Sequence, residues 1–324
     1  MALTVTSTTY DKKALETMIN GTYSAPFIIS DTDAVDWQSA KVFKRYGIET
    51  PGMRAYGRAA AAVDGTGITQ VDNYEDTYTI AFDRYVSMYL DKRDVQQTGG
   101  VVNPTITLDK FVKTQWNPTI DARFFSTVAT KAIAAGNVIV YDTATYTTAN
   151  VYDRWKEALA SANGEAKLRR HSVTGMLVSY VSTTIMNLLE QSTAFDRKID
   201  TTDIMGDGAS LNTRISIIDK IAVIEVIDTE RLFTSFDYAP TNANLSFEPA
   251  TGSFAIDMLF ATVGLTETVP AFDDIYINEP GEVPGVNGYF INVYPTWDTF
   301  VYLNDINGGV TDHIFVVRDD TAQA

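Results

Sequence analysis

The chain has 324 residues, with Lys+Arg 25 against Asp+Glu 41 and a formal net charge of −16. Cysteine is absent and only His171 and His313 supply imidazole, which excludes disulfides, thiolate nucleophiles, Cys-based zinc sites and His-rich metal centres. Residues 1–200 hold 21 Lys+Arg and 22 Asp+Glu, whereas residues 201–324 hold 4 and 19, so the chain lacks the basic footprint that direct DNA binding needs.

Hydrophobic residues at 45% and charged residues at 20% describe a folded protein with a sizeable core. At roughly 150 residues per domain the length suggests about two domains. No apolar run reaches the ~18 residues of a membrane span; the nearest, Phe254 to Leu265, is broken by Asp257. The first residues lack the basic-then-apolar order of a signal peptide, so the expectation is a chain that stays in the cytoplasm where it is made.

Residues 1–40 show no sustained period beyond one short helix over Asp11 to Asn20, and read as an arm that depends on contacts elsewhere. Residues 41–98 have Gly, Pro and Ala in the middle (Pro51-Gly52, Gly57, Ala59 to Ala62, Gly65, Gly67) and β-branched and aromatic flanks. This pattern predicts two long strands around a mobile tip, with a break near Asp83-Arg84. A two-stranded ribbon buries too little apolar surface to be stable alone, so it needs a partner surface.

The longest helix is predicted over residues 103–136. Ile120, Phe124, Val128 and Ala132 form one apolar stripe with Phe125, Ala129 and Ile133 beside it. Pro118 lies inside that pattern, which predicts a kink or a restart capped by Asn117, and Gly136-Asn137 suits the C-terminal end. Strands and helices then alternate to about residue 235: a strand at Val138 to Tyr141, a helix capped by Asn150 and running to Asn163, a strand from Met176 into a helix ending at Leu189, and strands Arg214 to Ile218 and Ala222 to Ile227 around an Asp219-Lys220 turn. Residues 240–324 read as strand and loop, with strands at Tyr276, Phe290 to Val293, Phe300 to Leu303 and Ile314 to Val317. The fold class expected is α+β.

Catalytic signatures are missing. Asp64-Gly-Thr-Gly67 has no second copy to share a proton with, as an aspartic protease requires. Asp305-Ile-Asn-Gly-Gly309 starts like a calcium loop, but its twelfth place is Val316 rather than Glu. No Gly-x-Ser-x-Gly elbow, Gly-x-Gly-x-x-Gly turn or phosphate loop occurs. His171 reads as a surface residue beside the basic run Lys167 to Arg170. Asp273-Asp274 and Glu279 read as a solvated acidic face, and paired work by Asp273 and Glu279 would make the chain an acidic hydrolase, a distant alternative. No cofactor is expected.

Three stretches resemble the major capsid proteins of tailed bacteriophages. The first is Thr77-Tyr-Thr-Ile-Ala-Phe-Asp-Arg84, Met88-Tyr-Leu-Asp-Lys-Arg-Asp94, Phe111 to Pro118 and Ile120-Asp-Ala-Arg-Phe-Phe125. The second is Met176 to Val181 with Leu188 to Ser192, and the third Leu211 to Ile215, Ile221 to Val226 and Arg231. Thr119 stands where the family has Glu after the spine-helix Pro, and Tyr294-Pro-Thr-Trp-Asp298 where many members carry a Tyr-Arg-Tyr-His-Asp-like run.

The resemblance implies the capsid fold shared with encapsulins and herpesvirus capsids. Its expected parts are an N-terminal arm (1–40), an extended hairpin loop (41–98), a peripheral domain with a kinked spine helix (99–137 plus 255–324) and an axial domain (138–254). It implies no catalysis and no membrane. It also implies hexamers and pentamers of an icosahedral shell around double-stranded DNA, held without sequence-specific contacts. Scaffolding, portal and decoration proteins are the partners implied, and the expected location is the virion, assembled in the bacterial cytoplasm. The ribbon would lie over a neighbouring subunit, with Lys41, Arg54, Tyr56, Arg58, Ile80, Phe82, Val86, Met88, Lys92 and Arg93 as the contacts. An encapsulin-type compartment is the alternative within the same architecture.

Overall fold

The computed structural model describes residues 21–29, 36–49, 72–98, 103–160, 168–192, 205–206, 209–210, 215–240, 242, 245–282, 287–302 and 312–323. The expected Asp11–Asn20 helix, the ribbon tip with Arg54, Tyr56, Arg58 and Asp64, and the Asp305 turn lie outside these residues.

A strap over residues 21–29 carries one 3-10 turn, Ala25–Phe27, that sets Phe27 in the core. Strands β1 (Asp36–Ser39), β2 (Val42–Glu49) and β3 (Asp72–Thr79) form an antiparallel ribbon in that order, with Val42 opposite Thr79 and Glu49 opposite Asp72. Strand β4 (Val86–Asp91) does not continue the ribbon, so the span 41–98 divides near Ile80. Helix α1 (Lys92–Gln97) follows, with the Asp91 side chain accepting from the Arg93 N–H at 2.7 Å.

Asn103 opens the long helix by accepting from the Ile106 N–H at 2.8 Å, and Pro104 sits at the first turn, where an N–H is dispensable. Helix α2 (Pro104–Phe111) runs through one π turn (Val112–Trp116) into α3 (Asn117–Ala134). Instead of a restart capped by Asn117, that residue is fully helical and its N–H reaches Val112 O, five residues back. Pro118 has no N–H, and widening the turn by one residue lets the helix pass it unbroken. Thr119 turns its hydroxyl onto Gln115 O at 2.6 Å. Gly136, at φ +76°, ends the helix while the Asn137 N–H bonds Ala132 O, a left-handed cap.

The second half alternates as the pattern predicts: β5 (Val138–Tyr141), α4 (Val151–Ala160), α5 (Leu168–Val173), β6 (Leu177–Ser182) and α6 (Thr183–Glu190). Asn150 precedes α4, but its side chain reaches back to the Thr147 N–H and Thr145 O rather than forward as a cap. Short pairs β7 (Met205–Gly206) and β8 (Ala209–Ser210) precede β9 (Ile215–Ile218) and β10 (Ile221–Val226). Asp219 and Lys220, at φ 51° and 69°, make the tight turn between the last two. Strands β11 (Phe236–Asp237), β12 (Glu248–Pro249), β13 (Phe254–Thr262), β14 (Thr266–Asn278), β15 (Gly288–Val301) and β16 (Ile314–Ala322) complete the chain.

Two main sheets take most of these strands, and β7-β8 and β11-β12 form separate two-stranded pairs. The larger has the order β5-β16-β13-β6-β10-β9, with β6 parallel to β10 and β5 parallel to β16. It is covered on both faces, and its strands alternate between them. Met258, Phe260, Phe315 and Val317 meet Trp155, Leu159, Leu168 and Ile185 of the three small helices. Tyr180, Ile224, Leu259, Ala261, Ile314 and Val316 meet Phe124, Phe125, Val128 and Ala132 of α3. The smaller sheet, β14-β15-β4, packs Ile275, Ile291, Val293, Val86 and Met88 against Trp116 and Ile120. Across the expected boundary at residue 254, β13 and β16 lie in the larger sheet with β6 and β10, while β14 and β15 form the smaller sheet with β4. Both faces of β13 are apolar except for Asp257, which suits a strand buried on both sides. That carboxyl takes the Thr143 hydroxyl at 3.1 Å, and burial pushes it up to about 7.

Asp121 of α3 is completely buried. It accepts from the Ser24 N–H (3.0 Å), the Ser24 hydroxyl (2.8 Å), the Tyr23 N–H (3.2 Å) and the Arg231 guanidinium (2.9 Å). Breaking a buried pair by removing one charge costs about 3–5 kcal/mol. Asp121→Ala should lose that much in denaturant unfolding and free the strap, read as new proteolytic cleavage near residue 24.

His171 is buried, not exposed as its basic neighbours suggest, because α5 turns it inward beside Leu168. Its ring lies 6.3 Å from that of His313, and its Nε2 lies 3.5 Å from Asp312, which Arg170 approaches at 3.7 Å. Burial, with His171 adding to it, lowers His313 from 6.5 to about 4. A folded-state pKa below the unfolded one favours the neutral ring. Its stability contribution is intact above pH ~6.5 and is lost as pH falls, approaching about 3 kcal/mol near pH 4. Unfolding midpoints of His313→Leu should therefore fall less than those of the wild type between pH 7 and pH 4.5.

Candidate assembly surfaces

The ribbon is fixed at its base by aromatic packing. Phe43 of β2 stacks on Tyr78 of β3 at 5.5 Å and meets Phe300 of β15 edge-on at 5.1 Å, while Tyr78 meets Tyr302 at 5.1 Å. Arg45 lies 3.8 Å over the Tyr302 ring and donates to Gly264 O at 3.2 Å. Lys41 pairs with Asp83, whose carboxyl this cation holds below its usual range, and Lys44 pairs with Glu75.

The chain leaving the ribbon is zippered to β15. The Ala81 N–H bonds Asp298 Oδ2 at 3.2 Å, the Trp297 N–H bonds Phe82 O at 3.2 Å, and the Arg84 N–H bonds Pro295 O at 3.0 Å. Asp298, itself buried, also takes the Arg123 side chain of α3 through two bonds of 3.0 Å. The Tyr294 to Asp298 run is thus structural: Trp297 and Asp298 face inward and only Tyr294 faces out.

This geometry changes the roles read from the sequence. Ile80 (1% exposed) and Phe82 (9%) are buried within their own subunit, and Val86 and Met88 pack against the same core as Trp116. Of the four expected contacts, Ile80 and Phe82 are thus buried core of their own subunit, and Val86 and Met88 are half-buried on β4, whose partner strand β15 lies in the same chain. Gly288 permits that pairing, since a Cβ there would lie 2.3 Å from Leu90 O. Lys92 and Arg93 are exposed on α1, and Lys41 is committed to Asp83.

The outward face of the β14-β15-β4 sheet carries the residues between the inward ones. Tyr85 (66% exposed), Tyr89 (48%), Tyr294 (41%) and Tyr276 (36%) line it. Tyr85 stacks on Tyr294 at 5.4 Å, Tyr276 meets Tyr294 edge-on at 6.1 Å, and Ser87 donates to Asn292 at 2.7 Å. This is an ordered, amphipathic patch, and nothing in the sequence but strand parity separates it from the core. Asp274 and Glu279 stand exposed on and just after β14, and the Asp273 side chain of the hydrolase alternative lies outside the described residues. Among the described residues no helix is long and apolar enough to cross a membrane.

Parity gives a direct test by urea unfolding of the subunit. Tyr85→Ser with Tyr294→Ser should change stability by no more than about 1 kcal/mol, whereas Phe82→Ala should cost about 3–5 kcal/mol.

No protein-family profile matches the chain, and no curated protein matches its sequence. Solved structures do match it. The capsid of Ralstonia phage GP4 aligns over 94% of this chain and 92% of its own, with a TM-score of 0.58 at 10% identity. The cyanophage Pam1 capsid aligns over 94% of each chain, with a TM-score of 0.53 at 12% identity. The mature capsid of bacteriophage PhiM1 aligns over 89% of this chain and 84% of its own, with a TM-score of 0.53 at 14% identity. Strap, ribbon, long helix and the two sheets together are the α+β fold of these phage capsid proteins.

Proposed function

We propose that the chain is the major capsid protein of a tailed bacteriophage. It is a non-catalytic subunit that builds an icosahedral shell of hexamers and pentamers around double-stranded DNA. The observation that carries this reading is the likeness to phage capsids over 94% of the chain. Its partners are other copies of itself, with scaffolding, portal and decoration proteins acting during and after assembly in the host cytoplasm.

The physics of the ribbon supports the reading. Among the described residues its aromatic anchoring lies at the base, while Pro51 to Gly67 is rich in Gly and Ala in sequence. Such a segment gains little by packing on its own subunit. Obligate interfaces bury about 2,000–5,000 Å², and at about 25 cal/mol per Å² of apolar area that exceeds what the ribbon gains alone, even after association costs. The acidic residues 201–324 would keep packaged DNA from adhering if they line the inner wall, and would keep shells apart if they face outward.

The test is expression of the chain with electron microscopy and light scattering of the product. Closed shells, or rings of five and six, are the expected result. Deleting Pro51 to Gly67 should leave a folded subunit that forms no closed shells. A wild-type chain that stays monomeric at all concentrations, with and without a crowding polymer, would overturn the reading.

A further inference from the structure

Strands β6 and β10 run side by side and parallel, with Ala222 opposite Val178 and Val226 opposite Ser182. The two ends of this pair differ in charge. Past its finishing end a groove of about 630 Å³ lies beside the π turn, between the turn after β10 and the segment leading into β12. Ile227 (58% exposed), Leu245 (48%) and Phe247 give it apolar walls, and Asp228, Glu230 and Glu248 give it an acidic rim. Arg231 also lines the groove, but its guanidinium is held by Asp121 at 2.9 Å and Asp228 at 2.6 Å.

The starting end has the opposite sign. Val173 (83% exposed), Met176 (44%) and Ile217 (43%) are its outward apolar residues. On α5, Arg169 and Arg170 stand four and three residues before Val173, so the three share the outer side of the helix while Leu168 and His171 face the core. By the register of the pair, Lys220 stands level with Met176. Arg170 is drawn toward Asp312 at 3.7 Å, and Lys156 pairs with Asp219. Arg169 and Lys220, both exposed, are then the cations this end turns to solvent.

We propose that the groove receives the surface of Arg169, Val173 and Met176 from a second copy of the chain. Charge and polarity set the choice: cations meet the acidic rim, and two apolar side chains meet the walls of Ile227, Leu245 and Phe247. Placement sets the copy. The six residues of β6, at ~3.3 Å each, hold the two ends about 20 Å apart, so a subunit cannot fill its own groove with this surface. Ile106 with Lys110 on α2 is another exposed apolar and cationic pair, but Thr114, one turn further on, lines the groove itself. A contact made through that pair would be two-fold and would bring the acidic rims of both copies together, which like charges oppose. Joining opposite ends is head-to-tail instead, and a rotation that closes makes a ring. The inference rests on the shell reading for its choice of a second copy as partner.

Absence of cysteine makes the test direct. Thr174 and Thr229 are exposed, the first beside Val173 and the second lining the groove. Chains with Thr174→Cys are assembled with chains with Thr229→Cys and treated with a short bismaleimide. The expected product is a covalent dimer containing one chain of each kind, far above the single-variant controls. Arg169→Glu and Glu230→Lys, each alone, should lower the yield of shells about tenfold and leave the subunit's urea midpoint in place, and the two combined in one chain should restore the yield. Shells that form without the mixed dimer, or with a yield that ignores both reversals, overturn the groove assignment and leave the shell reading standing. Cross-linking of Thr174→Cys to Tyr276→Cys instead puts the cationic end on the tyrosine face and overturns it too. A wild-type chain that never assembles overturns both.

Discussion

The fold hangs on a carboxylate that water does not reach. Asp121 sits midway along the long helix, and burial alone pushes its pKa up, against the pull of Arg231 and the donors of Ser24 and Tyr23. A buried ion pair is weak evidence of net stability, because desolvation consumes most of the attraction. Its effect is selective: only one placement of the strap and of the turn after β10 satisfies every lone pair at once. Two residues further on, Arg123 projects elsewhere around the helix and ties it to Asp298 in β15. One helix thereby sets the positions of the strap, the larger sheet, the smaller sheet and the ribbon's exit.

The π turn belongs to the same constraint. A sharp proline kink would swing α2 away from α3 and separate Trp116 from Ile120, which now share one core with Trp297 and Phe82. Widening one turn keeps the helix continuous at the cost of a single register shift. That shift leaves Asn117 buried beneath Gly21, where a Cβ would lie 2.1 Å from the amide nitrogen. The strap can cross the helix closely there because residue 21 has no side chain.

Much of this was legible in the sequence. The long helix, the Asp219-Lys220 turn and the strand at Val138 to Tyr141 are local features that periodicity and turn chemistry report. What was not legible is which elements meet. Phe254 to Leu265 reads as a tail segment because nothing local says that β13 inserts between β16 and β6. The strand after Asp83 reads as ribbon because both its faces are apolar or aromatic. Val86 and Met88 against Tyr85 and Tyr89 differ only in parity, and a one-residue change of reference exchanges the faces. His171 misleads for a similar reason: Arg169 and Arg170 stand exposed next to it, while the six-residue helix turns its own ring inward. Arg231, the partner of Asp121, stands in the family-like pattern, but no local signal ties it to a residue 110 positions away.

The two outward surfaces differ in physical character. The tyrosine face is flat, ordered by ring stacking, and each Tyr loses little side-chain freedom on contact. It suits a broad interface of modest specificity. The groove is concave and charged, and charge complementarity acts chiefly on encounter and register. At physiological salt such fields are screened beyond about 8 Å, so the acidic rim discriminates only once a basic segment has come close. A chain with net charge −16 repels its copies at long range, which slows indiscriminate association. The ribbon, held at its base by Phe43, Tyr78 and Tyr302, is close to neutral, since Lys41, Lys44, Arg45, Arg54 and Arg58 are matched by Glu49, Asp64, Asp72, Glu75 and Asp76.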